Sequence, residues 1–234
     1  MSNLEGIENR ILYEDNHLII INKNPSEIVQ GDKTGDIPLS ETVKGYLKKK
    51  YKKLGNVYLG VVHRIDRPVS GCVIFAKTDK ALSRMNKLIQ EREIKKLYWA
   101  VVKNKPPKES ERLSHFLVKN EKQNKSYAVK ADVKNALKAE MEYKLIASSD
   151  NYFLLEVQLF TGRHHQIRAQ LSEIGCPIKG DLKYGFPRSN QDASIHLHAR
   201  NVEFVHPVSK EKISVNAPLP KDAIWSYFQQ AVLL

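Results

Sequence analysis

Short apolar runs broken by polar turns make up most of the chain, and helical spacing shows in only a few stretches. Leu12–Asn22 reads LYEDNHLIIIN, a polar turn running into β-branched residues, and predicts an early strand. Asn24–Asp36 collects Pro, Gly, Asp and Lys and reads as loop. From Leu39 to Leu54 the pattern turns helical: Val43, Leu47, Tyr51 and Leu54 recur at spacings of four, four and three and share one face. Gly60–Thr78 is a loop between apolar runs, with CVIFA as a buried strand. Asp79–Glu91 follows as an amphipathic helix with Leu82, Met85, Leu88 and Ile89 inward and Thr78 or Asp79 as its cap. KLYWAVVK at Lys96–Lys103 has the aromatic and β-branched content of a strand. The polar, lysine-rich stretch from Lys103 to about Asn135 fits a hairpin with exposed tips.

Alternation returns in AEMEYKLIA and YFLLEVQLF. Thr161–Gly175 turns helical again, with Ile167, Leu171 and Ile174 as its buried stripe and Gly175 where a C-terminal cap belongs. A last helix is expected at KDAIWSYFQQ. Strands dominate, and the few helices do not alternate with them as βαβ units require. The fold class is therefore α+β. No repeat, low-complexity tract or Gly/Ser linker divides the chain.

Composition narrows the setting. The 234 residues, of mass 26.8 kDa, suit one large domain or two small ones. An apolar share of 41% is ordinary for a folded soluble protein and excludes a disordered chain. Cys72 and Cys176 cannot build a disulfide framework, and neither belongs to a CxxC pair, so a reducing compartment is expected. MSNLEGIENR has no apolar core of signal-peptide length, and charged residues interrupt every apolar run. These features point to the cytoplasm and to no membrane contact.

Charge changes the picture more. Lys and Arg number 38 against 26 Asp and Glu, a net +12 with a pI near 9.5. Such a surface suits a polyanion through counterion release, although charge alone does not separate RNA from DNA or from an acidic membrane face. Lys44, Lys48 and Lys52 stand at i, i+4 on the polar face of the first helix, with Lys49 beside them. They form either a phosphate-contacting rim or a merely solvated face.

The densest chemical segment is His63–Gly71, HRIDRPVSG. Arg64 and Arg67 bracket Asp66, and nearby cations favour the carboxylate form. Pro68 and Ser70-Gly71 predict a tight turn ahead of a rigid strand. Spacing alone allows a catalytic carboxylate on a rigid support or a structural Asp–Arg pair closing a turn. His164-His165 and His196-x-His198 raise the possibility of metal ligands and a metallonuclease. Structural zinc prefers four closed ligands that include cysteine, and neither cysteine lies at such a spacing, so these histidines read as orienting, RNA-contacting or packing residues.

HRIDRPVSG resembles the HRLDxxTSG signature of the RluA family of pseudouridine synthases, with Ile65 for Leu and Val69 for Thr. Four further segments resemble the family's motifs in the family's order: KKLYWAVV at Lys95–Val102, TGRHHQIRAQL at Thr161–Leu171, GDLKYG at Gly180–Gly185 and HLHARNVEFVHP at His196–Pro207. The opening LYEDNHLIIINKNP fits as well, with the family's KPxG altered to Lys23-Asn24-Pro25-Ser26. The resemblance covers residues 11–220. One such motif is a weak signal, and the ordered set is a strong one.

The resemblance implies isomerisation of uridine to pseudouridine in RNA, without cofactor or metal. It implies a long mixed, mainly antiparallel sheet with flanking helices and a central basic cleft. By the family's pattern Asp66 is the catalytic carboxylate, as nucleophile or base. Arg168 is the arginine that pairs with it, and Tyr98 packs on the target base and can take the proton from C5. Arg64 fills the gap left by the flipped nucleotide. Arg163, at the expected helix start, is placed for phosphate or structural contacts, and His164 is a candidate RNA contact. The family pattern begins within the first dozen residues, so a single catalytic domain over 1–234 is expected, with no S4 module ahead of it. Lys44–Lys53 and Lys103–Lys125 would then capture a stem-loop of tRNA or ribosomal RNA. A monomer is expected. The rival readings are an RNA-binding chaperone that has lost catalysis and the metallonuclease.

Overall fold

The computed structural model describes residues 6–233. Leu234 and the first five residues of the polar N-terminal stretch lie outside it. Among the described residues the chain runs β1 (Ile11–Glu14), β2 (Leu18–Lys23), α1 (Leu39–Lys50), β3 (Gly60–Val61), β4 (Ser70–Ala76), α2 (Asp79–Gln90) and β5 (Lys95–Val102). It continues through β6 (Ser110–Asn120), β7 (Lys125–Val129), β8 (Leu137–Ser148), β9 (Phe153–Leu159), α3 (Gln166–Glu173), β10 (Leu197–Val205), β11 (Lys212–Asn216) and α4 (Ala223–Leu233). A 3-10 turn at Leu182–Tyr184 follows α3. The elements form two compact units, Met1–Ile94 with Ala199–Pro218 and Lys95–His198 with Leu219–Leu234.

In the first unit the strand order is β1-β2-β4-β10, with β3 beside β4 and β11 beside β10. β2 and β4 run antiparallel from Leu18 opposite Ala76 to Lys23 opposite Gly71. Leu18–Ile21 and Cys72–Ala76 are completely buried, which accounts for their continuous rather than alternating apolar sequence. Thr78 caps α2, its hydroxyl accepting from the Ala81 amide at 3.2 Å. Ala81 and Met85 are buried beneath that helix, and Leu82, Leu88 and Ile89 are half-buried.

α1 is shorter than its periodicity predicts. Val43 and Leu47 are buried, but Tyr51 is exposed and Leu54 fully so. Lys52 takes φ 48°, its amide donates to the Lys49 carbonyl, and the Lys53 amide donates to Lys48. This is a Schellman end with lysine where glycine is usual. The same closure follows α2 at Arg92 and α3 at Gly175, the last as the sequence indicates. Lys52 therefore stands off the helix, and the regular Lys44–Lys48–Lys52 row does not form.

The second unit is an antiparallel sheet in the order β5-β9-β8-β6-β7. Trp99, Val101 and Leu154 pack one face against Trp225 and Phe228 of α4. On the other face Leu117 and Ala139 pack against Ala169 of α3 and Tyr184. Parity places Tyr98 on that second face. Tyr143 shares the side of Ala139 along β8 and is paired with Val157, which is paired with Tyr98. The α+β expectation, a mixed and mostly antiparallel sheet with flanking helices, describes these elements.

Glu14, at the end of β1, anchors α1. Its carboxylate, 8% exposed, meets Lys50 Nζ at 2.8 Å and Lys77 Nζ at 3.0 Å. It also accepts from the hydroxyls of Tyr46 at 3.1 Å and Tyr51 at 2.7 Å. Burial raises its pKa, but the hydrogen bonds from Lys50, Tyr51 and Lys77 outweigh burial and carry it from 4.5 to about 2. A carboxylate depressed in the folded state stabilises the fold above its unfolded value and loses that contribution as pH falls through the folded one. Glu14→Gln should cost up to about 3 kcal/mol at pH 7 and flatten the loss of stability between pH 4.5 and 2, read from urea unfolding at several pH values.

Candidate active site and RNA-contacting surface

In the first unit the His63–Val69 loop leaves β3 and returns into β4. Ile65 and Val69 are buried on either side of Asp66 and peg the loop to the core. The Val69 amide donates to the Asp66 carbonyl at 3.0 Å and closes a four-residue turn that contains Pro68. Asp66 is half-buried, while Arg64 and Arg67 are exposed. Arg67 pairs with Asp36 at 2.7 Å. Arg64 makes no ion pair among the described residues.

Lys23 secures that turn. It is fully buried, and its ammonium donates to the carbonyls of Asn24 at 2.9 Å, Glu27 at 2.8 Å and Arg67 at 3.1 Å. The Ser26 amide donates to the same Arg67 carbonyl at 2.9 Å. Burial pushes Lys23 down to about 7, while the charges of Glu27 and Asp66 pull it upward. Three donors matched to three carbonyls leave the buried ammonium satisfied and tie the Asn24–Val29 loop to the Asp66 turn.

In the second unit α3 starts five residues later than its pattern predicts. The Gln166 side chain turns back, its Oε1 accepting from Thr161 Oγ1 at 2.7 Å and from the Arg163 amide at 3.0 Å. His165 precedes the helix in a left-handed conformation, φ 53°. Arg163 is thus in the turn ahead of α3 rather than at its first residue, and its Nε donates to the Lys138 carbonyl at 3.0 Å. His164 and His165 precede the helix rather than lying on it. Their rings stack with centroids 3.8 Å apart, because the left-handed residue folds one back over the other.

His164 bonds Ser126 Oγ at 2.8 Å and Asn124 Oδ1 at 3.1 Å. His165 lies 3.0 Å from the Tyr184 hydroxyl; burial first, then the Arg168 charge, holds its pKa down to about 2, so the imidazole is neutral. Arg168 is buried in α3. Its Nε and Nη2 donate to Asp181 at 2.7 and 2.9 Å, and its guanidinium stands 5.0 Å from the Tyr184 ring centroid. Tyr98, also buried, lies on the sheet face that α3 covers.

The lysines of α1 divide by partner. Lys44 pairs with Glu41 at 2.7 Å, and Lys50 belongs to the Glu14 cluster. Lys48, Lys49 and Lys52 are exposed. His196 lies 3.2 Å from Asp222 and stacks on Trp225, and His198 also packs near Trp225. Among the described residues no group of three or more His, Cys, Asp or Glu is placed to hold a metal ion, and no helix is long and apolar enough to cross a membrane.

Residues 17–173 match the family described as RNA pseudouridylate synthase. The chain belongs to that family. It is 37% identical over 223 residues to a ribosomal large subunit pseudouridine synthase C of Buchnera aphidicola, covering 92% of this chain and 68% of the relative. A synthase C of Vibrio cholerae is 31% identical, over 94% of this chain and 68% of its own. A synthase D of Zymomonas mobilis is 30% identical, over 93% and 71%. The fold is that of human RNA pseudouridylate synthase domain containing 4, with TM-score 0.80 at 22% identity over 98% of this chain and 95% of that one. This pseudouridine synthase isomerises uridine to pseudouridine in RNA, the reaction that the RluA-type motifs imply.

Four residues of this enzyme stand out in the structure without a role that the sequence motifs assign. Lys23 sits in the altered KPxG, and Asp181 and Tyr184 sit in GDLKYG, so a motif pointed to each without showing what it touches. Lys96 is the fourth. It shares the Tyr98 side of β5, burial lowers its pKa, and no carboxylate partner stands near it among the described residues. The glycine that ends HRIDRPVSG has a plain steric reason. Gly71 has φ 113°, and a Cβ there would meet the backbone oxygen and nitrogen of Ala199 well inside van der Waals contact. Gly71→Ala should destabilise the protein by about 3 kcal/mol or prevent its folding, measured by thermal melting.

Proposed function

We propose that this pseudouridine synthase modifies ribosomal RNA of the large subunit, with Asp66 as its catalytic carboxylate. The observation that carries the assignment is the Asp66 turn itself. Two buried residues and the bond from Lys23 to the Arg67 carbonyl hold it in place, while Asp66 itself is half-buried rather than sealed in the core. Such pre-organisation suits a group that must meet a reacting atom at fixed distance. The relatives' names support the choice of RNA, since they describe large-subunit synthases.

In this reading the target uridine leaves its stack and Arg64, exposed and without an ion pair among the described residues, fills the gap. Asp66 acts as nucleophile or as base on the everted nucleoside. The N1–C1′ bond breaks, the uracil turns and a C5–C1′ bond forms. The proton on C5 leaves and N1 ends protonated, so the reaction is balanced without water or cosubstrate. Tyr98 packs on the base and takes the C5 proton, and Arg168 is the arginine that the family's pattern assigns to the catalytic carboxylate. Lys48, Lys49 and Lys52 meet phosphates, joined by Lys44 on the same helix and by Arg163 and His164 ahead of α3. The enzyme works as a monomer in the cytoplasm, a reducing compartment that suits Cys72 and Cys176, both buried and unbridged.

Two experiments test this. Pseudouridine mapped across all RNA, with and without the gene, should lose a site in large-subunit ribosomal RNA. Wild type should restore the site and Asp66→Asn should not, although the variant folds and binds RNA nearly as well. A lost site in tRNA would correct the substrate, no lost site would favour the RNA-binding chaperone, and restoration by Asp66→Asn would remove the catalytic assignment. Separately, changing Lys48, Lys49 and Lys52 together to Ala should weaken RNA binding and lower the salt slope by about one counterion per lost contact. An unchanged slope would mean that these lysines are only solvated.

A further inference from the structure

We propose that Asp181 and Tyr184 are positioning residues for Arg168, and that the Tyr184 hydroxyl makes the β6–β7 hairpin part of the same device. The proposal rests on the catalytic role given to Arg168 above and says what holds that side chain in place.

The Asp181 carboxylate meets Nε at 2.7 Å and Nη2 at 2.9 Å, a fork that fixes the guanidinium plane and its rotation. Both side chains are almost wholly buried, 6% and 1% exposed. The Tyr184 ring stands 5.0 Å from the guanidinium carbon and restricts movement on that side. Of five N–H donors the fork uses two, and it fixes the plane in which the other three lie.

The turn that carries both residues is itself anchored. The amides of Tyr184 and Phe186 donate to the Asp181 carbonyl at 3.1 and 3.0 Å. Ser172 of α3 donates to the Tyr184 carbonyl at 2.8 Å.

The Tyr184 hydroxyl reaches outward to the hairpin. It accepts from the Ser126 amide at 2.8 Å and stands 3.2 Å from the Ser126 carbonyl. Lys183 donates to the carbonyls of Gln123 and Asn124 at 3.2 and 3.0 Å, where β6 turns into β7. A displacement of the hairpin tip is therefore felt at Tyr184, and through its ring at Arg168. The tip carries Lys119, Lys122 and Lys125, so RNA phosphate is the ligand that would act on it.

The test is single-turnover pseudouridine formation with enzyme in excess over RNA from a strain lacking the gene. Asp181→Asn should lower the rate constant by about 10²-fold at full reaction amplitude, with RNA affinity little changed. Tyr184→Phe keeps the ring and the volume, loses only the hydroxyl, and should lower the rate constant by about five-fold. Asp181→Glu should recover part of the loss. If Asp181→Asn does not fold, Tyr184→Phe carries the test, together with the exchange rate of the Arg168 Nε–H by NMR, which should rise in that variant. Rate constants within two-fold of wild type, or a loss confined to amplitude or melting temperature, would overturn the positioning role and leave the proposed function standing. Wild type without turnover on any RNA would overturn both.

Discussion

The second unit is organised around one buried cation. Taking a guanidinium out of water costs several kcal/mol unless its charge and its donors are met in place. Arg168 meets that condition with a two-point contact to Asp181 and an aromatic face from Tyr184. Much of the local structure follows from keeping that arrangement dry and complete. The Gly180–Gly185 turn presents Asp181 and Tyr184 together, and the left-handed His165 closes over the start of α3. The arginine's field, added to burial, also decides the state of His165. Next to a permanent positive charge the ring stays neutral and serves as a hydrogen-bonding partner rather than a second cation.

The first unit repeats the logic with Lys23. Here the compensation comes from backbone, and three carbonyls drawn toward one ammonium bring two loops into a fixed relation. In both units a cation placed where water is scarce is what gives shape to a segment that has no regular secondary structure. Such segments are weak at holding themselves, since they lack a ladder of backbone bonds. Glu14 does the same with the sign reversed, drawing two lysines and two tyrosines to the end of β1 and so fixing the helix that displays the exposed lysines.

What could be read from the sequence was what depends on local pattern. The apolar runs of β2 and β4, the Thr78 cap and the Gly175 end of α3 need only neighbours along the chain to be recognised. Periodicity overstates the length of α1, because it continues through Tyr51 and Leu54 while polar bonds do not. Tyr51 spends its hydroxyl on Glu14, and Lys52 turns left-handed to satisfy the last carbonyls. The start of α3 is hidden for a similar reason, since nothing in TGRHHQ announces that the Gln166 side chain folds back on Thr161. Asp66, Tyr98 and Arg168 were legible only as motif members; their residue types alone would have passed for a turn, a core aromatic and a helix arginine. Asp181 stayed unassigned because its partner is far along the chain, and nothing short of the fold makes the pair visible.

The division of the chain has a consequence for its birth on the ribosome. Lys95–His198 is one uninterrupted stretch, so the strands of the β5-β9-β8-β6-β7 sheet emerge together. The sheet of β1, β2 and β4 has no such luck. Its remaining strands, β10 and β11, are translated only after that whole insertion, and until then the β4 edge beside Gly71 is open. A buried strand with one edge open until a distant partner arrives invites capture by another nascent chain. The sheet beside the Asp66 turn is thus the one whose strands are separated longest during synthesis, whereas the other unit has its strands together and waits only for α4 to cover one face.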